Sequence, residues 1–226
     1  MVTYCTLERL ASLHPEKRTG PYLVFREFRK PVEKETLLPT VRPATRKGWP
    51  AGSMPALVWL LSVNTHSLWA QDWPEFRGPT AQGLSEAVDL SLTWSETENI
   101  AWKILIPGRG WSSPVVLGNK IWLTTGVHEG RSPQGRHSLR AIGIDLDSGR
   151  ILHDVEVFRL ESPPSLHVKN TSASPTPILE EGRVYVHFGA FGTAALNSQG
   201  EILWKSRHLR YAELYGPAGT PALGED

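Results

Sequence analysis

The stretch Ser113-Pro-Val-Val-Leu-Gly-Asn-Lys-Ile-Trp-Leu123, followed by Ile144-Asp-Leu-Asp-Ser-Gly-Arg-Ile-Leu-His153, decides the fold, because the chain repeats it. The second copy is Thr176-Pro-Ile-Leu-Glu-Glu-Gly-Arg-Val-Tyr-Val186, followed by Ala195-Leu-Asn-Ser-Gln-Gly-Glu-Ile-Leu-Trp204. A third copy begins at Thr220-Pro-Ala-Leu-Gly-Glu-Asp226. Self-similarity on this scale indicates a repeat architecture. Because the sequence stops within the third copy, we expect a fragment of a longer repeat protein.

The repeats are spaced by the prolines that open them. Pro114, Pro177 and Pro221 are 63 and 44 residues apart. The second spacing suits a unit of four strands, typically about 40–50 residues in propeller repeats. The first unit is longer, and turn-forming residues place its insertion in two loops, at 127–137 and 160–172.

Each unit is predicted to contain four short strands. Segments rich in β-branched and aromatic residues lie between turn glycines, as is typical of strands. No window shows sustained helical periodicity, so an all-β fold without helices is expected. The predicted strands are 114–118, 120–125, 139–145 and 150–157 in the first unit, and 175–179, 183–188, 192–197 and 201–206 in the second.

The turn before each fourth strand has the same chemistry in both units. Asp145 and Asn197 can accept backbone N–H bonds, and Gly149 and Gly200 can close their turns at positive φ. Trp204 follows the second turn, and we expect it to pack flat between neighbouring sheets. His153 holds the matching position in the first unit, where a packing role is expected.

These residues resemble the PQQ-like β-propeller repeat, whose signature is Ala-x-Asp-x-x-x-Gly-x-x-x-Trp. The second unit matches it from Ala195 to Trp204, with Asn for Asp and one residue fewer before the Gly. The first unit matches it from Gly143 to His153, with Gly for Ala and His for Trp. Asp72-Trp-Pro-Glu-Phe-Arg-Gly-Pro79 resembles the opening of secreted bacterial members.

The resemblance covers 72–226 and implies an incomplete β-propeller of about two four-stranded blades and the start of a third. Residues 1–45 are expected to be a disordered extension or to lie upstream of the true start. The run Met54–Val63 is too short to span a bilayer and has the length of a secretory-signal core. An export signal at about 46–70 within the segment 46–71, and a periplasmic or secreted location, are therefore expected.

Charge and cysteine content limit the possible partners. Residues 1–71 carry 10 Lys and Arg against 5 Asp and Glu, whereas 72–226 carry 14 against 18. The mildly acidic body argues against a nucleic-acid partner. The chain's single cysteine is Cys5, so the body has no thiol that an oxidising compartment could pair. No stable membrane span is expected.

Enzyme chemistry finds little support in the sequence. The resemblance leaves open a quinoprotein dehydrogenase, which would hold PQQ and Ca²⁺ with an Asp base. Asp145 and Asp147 belong to a predicted turn, and with Asp154 they make no clear Ca²⁺ cluster. The histidines lack the close spacing of a zinc site, and packing or turn roles are expected for His153, His167 and His187. No catalytic, cofactor-binding or metal residue is assigned.

The loops remain as candidates for recognition. The run Gly108-Arg-Gly-Trp-Ser-Ser113 precedes a strand rather than a helix, so it lacks the helix N-terminus that a phosphate loop needs. Arg109 and Trp111 are of the types that dominate binding hot spots, although Trp111 could equally pack between sheets. The second loop offers His167, Lys169 and Asn170. We expect a non-enzymatic exported scaffold that binds proteins through such loops; the alternatives are the quinoprotein and a truncated product without its own function.

Overall fold

The fold is known from a computed structural model of the chain. All described residues belong to one compact unit, which comprises Met1–Phe28 and Trp69–Asp226. The expected export signal, the unit Arg29–Leu68 and most of 1–45 lie outside the described residues. The structure describes residues 5–8, 22–25, 72–87, 91–130, 135–163, 166–209, 211, 213 and 215–224.

Eleven strands form three antiparallel sheets in the described residues, which confirms the all-β prediction. The only helical element there is a short 3₁₀ turn at Gly189–Phe191. The first sheet contains β1 (Cys5–Glu8), β2 (Tyr22–Phe25) and β3 (Trp102–Leu105). The second contains β4 (Val115–Leu117), β5 (Lys120–Glu129), β6 (Arg136–Asp145) and β7 (Ile151–Leu160); the third contains β8 (Ile178–Glu180), β9 (Arg183–His187), β10 (Thr193–Asn197) and β11 (Ile202–Ser206).

The two repeat units correspond to the two four-stranded sheets. In each sheet, strands that follow one another in sequence are neighbours. Strands β1 and β2 fall within the segment 1–45, and β2 pairs with β3 through the register Tyr22↔Leu105 to Phe25↔Trp102. The rest of that segment lies outside the described residues.

The first insertion is shorter than the sequence indicated. Residues 127–137 were expected to form a loop, but β5 and β6 continue into it at both ends, with His128 opposite His137 and Glu129 opposite Arg136. The prediction was wrong because polar side chains at an exposed hairpin end keep the backbone pairing while giving no apolar strand pattern. The second insertion agrees with the prediction, since no described residue of 161–177 is in a strand.

The central sheet is apolar on both faces. One face packs against β8–β11 through a cluster that includes Trp122, Leu139 and Phe158 from the central sheet and Val186 and Leu196 from its neighbour. The other face carries a second cluster, contacted by Trp73 and Trp102 from outside the sheet. The second cluster contains Ile106, Val116, Ile121, Leu123, Ile142, Ile144 and Leu146. Alternation along each strand thus supplies two cores.

The turns before β7 and β11 have the predicted chemistry. The Asp145 carboxylate accepts bonds from the backbone N–H and the hydroxyl of Ser148, at 2.8 and 2.5 Å. The Asn197 side-chain oxygen accepts the backbone N–H groups of Gln199 and Glu201, at 3.0 and 2.9 Å. Both turn glycines have positive φ, 68° at position 149 and 81° at position 200. Each side chain therefore satisfies backbone donors that the turn leaves open.

An aromatic ring covers each of these turn glycines. A Cβ added to Gly149 would lie 2.4 Å from Trp102 Cδ2, and one added to Gly200 would lie 3.1 Å from the His153 ring. Trp102 also donates from Nε1 to the Leu146 carbonyl at 2.9 Å. A ring near the start of one sheet's outer strand thus packs on the next sheet's turn.

Trp204 holds the corresponding position on β11 but is not buried. Its side chain is 46% exposed, and the ring contact described for it is a tilted one with Tyr185, at 6.4 Å between centroids. The expectation that Trp204 packs between sheets was therefore wrong for the described residues. No described sheet lies over β11 in the way that β8–β11 lies over His153.

A row of hydroxyl contacts links the starts of the repeats. The Ser113 N–H donates to Thr176 Oγ1 at 3.1 Å, and the Thr176 N–H donates to Thr220 Oγ1 at 3.3 Å. These partners are 63 and 44 residues apart, which are the spacings of the opening prolines. Thr220 therefore accepts from Thr176 the same kind of bond that Thr176 accepts from Ser113.

Candidate binding surface

Three consecutive loops meet on one side of the sheets, and we call residues 106–114, 166–177 and 215–221 the loop face. The Trp111 and Ser112 N–H groups both donate to the Ala173 carbonyl, at 3.0 and 3.2 Å. Asn170 Nδ2 donates to the carbonyls of Tyr215 and Pro217, at 2.8 and 3.2 Å. Each loop thus bonds to the next, so the three form a continuous surface.

Trp111 projects from a fixed backbone. Its side chain is 54% exposed, which resolves the two roles considered for it in favour of a surface position. The Trp111 N–H is bonded to Ala173, and the neighbouring Ser112 is fully buried. The Ser112 hydroxyl also donates to the Thr124 carbonyl at 3.1 Å. A Cβ on Gly110 would lie 2.4 Å from that same carbonyl. The exposed Trp111 side chain therefore extends from a backbone that is held by hydrogen bonds and close packing.

The glycine run before Trp111 has a structural explanation. Arg109 and Gly126 exchange both backbone hydrogen bonds, at 2.9 and 2.8 Å. Gly108 has φ 81°, and an added Cβ there would lie 2.4 Å from the Gly126 carbonyl oxygen. The glycines thus permit close backbone approach, which is consistent with the sequence argument against a phosphate loop.

The second and third loops add further exposed groups. Val168 and Tyr215 are 85% and 61% exposed. The His167 ring packs edge-on against the Tyr215 ring, with centroids 5.2 Å apart. Asn170 accepts a bond from the Ser174 hydroxyl at 2.5 Å in addition to its two donated bonds. Of the predicted recognition residues in this loop, Asn170 organises the backbone and His167 packs on an aromatic neighbour.

The aspartates considered for metal binding act elsewhere. The hydrogen bonds from Ser148 hold the pKa of Asp145 below its ordinary value. Asp154 accepts a bond from Arg140 Nε at 2.6 Å and forms an ion pair with it. The described residues contain no group of three or more His, Cys, Asp or Glu side chains that could hold a metal ion.

His153 and His167 pack on aromatic rings, in line with the packing or turn roles expected, whereas His187 contacts two hydroxyl groups. His153 stacks on Trp122 with the rings 5.4 Å apart and 4° from parallel. His187 Nδ1 lies 2.8 Å from the Thr193 hydroxyl, and its Nε2 lies 3.2 Å from the Tyr211 hydroxyl. Burial lowers the pKa of both imidazoles.

Sequence analysis did not identify a cleft between the outer strands β7 and β11. Phe158 lies beside Lys205 and Arg207, whose cationic groups are 5.8 and 4.9 Å from its ring centroid. Lys205 lies on β11 and Arg207 directly follows the end of that strand, so continued alternation would put their side chains on a shared side. That signal could have paired the two cations, but only the packing of two sheets brings Phe158 to them.

A scan against protein-family models finds none that matches the chain, and no curated protein matches it either. Among the described residues, no helix is long and apolar enough to cross a membrane.

Proposed function

We propose that this chain is a non-enzymatic binding scaffold that engages a protein partner through the loop face. The observation that carries the proposal is the set of exposed apolar groups on hydrogen-bonded loops, with Trp111, Val168 and Tyr215 at 54%, 85% and 61% exposure. Aromatic side chains of this kind supply large contact areas at binding hot spots. Supporting loops that are already ordered reduce the entropy lost on binding.

The proposal extends to the architecture that carries this face. We infer that the two four-stranded sheets are successive blades of a PQQ-like β-propeller. Two features support this: Trp102 and His153 each cover a turn glycine of the following sheet, and the hydroxyl contacts recur at the repeat spacing. In this arrangement the exposed Trp204 receives a further blade, whose turn glycine lies under its ring.

An extracytoplasmic location is part of the same proposal. It rests on the apolar run 54–63 and on the absence of cysteine from 72–226. Expression of the full chain in a bacterial host, followed by fractionation and N-terminal sequencing, would test it. Export with cleavage near Ala70 is expected, and retention of an uncleaved chain in the cytoplasm would contradict it.

The binding function is tested by site-directed crosslinking in the source cells. A photoreactive amino acid in place of Val168 should give a discrete crosslinked product, because this position is exposed and directly follows His167, whose ring packs on Tyr215. Adding Trp111→Ala and Tyr215→Ala should abolish that product. The matched control is Leu92→Ala, which removes a 90% exposed side chain outside the loop face and should leave the product unchanged.

Two outcomes would contradict the binding proposal. One is the absence of any discrete product from position 168 when the protein is present at its natural level. The other is a product that persists at equal yield in the Trp111→Ala, Tyr215→Ala double variant. The melting temperature of each variant shows whether the fold has been retained.

A further inference from the structure

We propose that the cleft between β7 and β11 binds a small organic molecule that carries a phosphate or sulfate group. The cleft is lined by Glu156, Val157, Phe158, Arg159, Lys205, Ser206 and Arg207 and has a volume of about 410 Å³. Ligand pockets typically have volumes of about 300–1,000 Å³. None of the lining residues belongs to the loop face, so this inference does not depend on the proposed function.

Two cations converge on one ring in this cleft. Lys205 Nζ and Arg207 Cζ are 5.8 and 4.9 Å from the Phe158 centroid, which limits their separation to about 11 Å. Phe158 is 4% exposed, so its ring forms a fixed floor beneath them. In the proposed complex the oxyanion lies between these two flexible side chains.

Neither cation is neutralised by a carboxylate of the described residues. Lys205 donates to the Val157 carbonyl at 3.2 Å, and Arg207 donates to the Arg159 carbonyl at 3.3 Å. Arg159 differs, because it pairs with Glu156 and Glu129 at 2.8 and 3.5 Å. Among the described residues, the two cationic groups of the cleft therefore donate to neutral carbonyls and remain available to a negatively charged ligand.

The side chains match the geometry of a tetrahedral oxyanion. An Arg guanidinium offers a planar fork for two parallel bonds, and a Lys ammonium adds a third donor. Ser206, which lies between Lys205 and Arg207 in the chain, also lines the cleft. The cleft has room for a group beyond the oxyanion, so the ligand class that we propose is a phosphate or sulfate monoester with an organic group.

Calorimetric titration of the full chain with phenyl phosphate tests the proposal. Saturable binding is expected, and Lys205→Gln with Arg207→Gln should weaken it at least tenfold because both charge-assisted contacts are removed. The affinity of Arg207→Lys should lie between those of the parent protein and the double variant, because lysine keeps the positive charge but lacks the planar pair of donors. Arg183→Gln is the control, because Arg183 is an exposed arginine outside the cleft that pairs with Glu180.

Inorganic phosphate, titrated in parallel, distinguishes the two sources of the oxyanion. Weaker binding of phosphate than of phenyl phosphate supports a monoester, and equal binding assigns the site to the free ion. The proposal is overturned if phenyl phosphate shows no saturable binding. It is also overturned if the double variant, with an unchanged melting temperature, binds as tightly as the parent protein.

Discussion

Adding one methyl group at Gly149 should test how neighbouring sheets lock together. The residue has φ 68°, and its new Cβ would lie 2.4 Å from the Trp102 ring. A non-glycine residue in the left-handed region costs about 1–2 kcal/mol. Displacing the ring also loses the Trp102 bond to the Leu146 carbonyl, which contributes about 0.5–1.5 kcal/mol. We therefore expect Gly149→Ala to lower the free energy of unfolding by about 2–4 kcal/mol, counting lost packing.

Gly182 provides a matched control for that substitution. Its φ is 76°, and an added Cβ would meet no atom within 4 Å. Gly182→Ala should therefore cost only the backbone term of about 1–2 kcal/mol. Urea unfolding monitored by circular dichroism measures both variants.

A double-mutant cycle isolates the contact itself. In a Trp102→Ala background, Gly149→Ala should cost no more than Gly182→Ala, because the ring that it displaces is absent. Contacting residues typically show coupling of about 0.5–3 kcal/mol. Equal costs for the two glycine variants in the parent protein, or the absence of coupling, would refute the packing of Trp102 on this turn.

Three other measurements follow from the structure. Trp122→Ala should cost about 3–5 kcal/mol in urea unfolding, whereas Trp204→Ala should cost about half as much, because these side chains are 2% and 46% exposed. Burial lowers the pKa of His153 from 6.5. The contribution of the neutral imidazole to stability is therefore present above pH 6.5 and declines as the pH falls below it. His153→Gln should flatten the pH dependence of the melting temperature between pH 7 and 5. Asp145→Ala should destabilise the protein more at pH 7 than at pH 2, because the lowered carboxyl pKa favours folding only while the group is ionised.

The sequence was sufficient for features that depend on local chemistry. Asp145, Gly149, Asn197 and Gly200 indicated their turns because a side-chain acceptor and a glycine define such a turn within a few residues. The prolines at 114, 177 and 221 placed the repeat starts, and the hydroxyl contacts from Ser113 to Thr220 bear out their spacing.

Features that depend on distant contacts were not accessible in this way. The exposure of Trp204 depends on whether another sheet covers β11, which the residues around it do not encode. The sequence could not decide between a surface role and a packing role for Trp111 for the same reason. In the structure its backbone bonds to Ala173 and its ring is exposed. The cleft at Phe158 exists only because two outer strands from different repeats lie side by side.

The coding DNA beyond codon 226 tests the propeller account most directly. The account predicts further units, in frame or after a frameshift, each opening with Ser-Pro or Thr-Pro and carrying a glycine in the turn before its fourth strand. The first of these glycines would be the partner of Trp204. A downstream sequence without such units would contradict the assignment of the two sheets to a propeller.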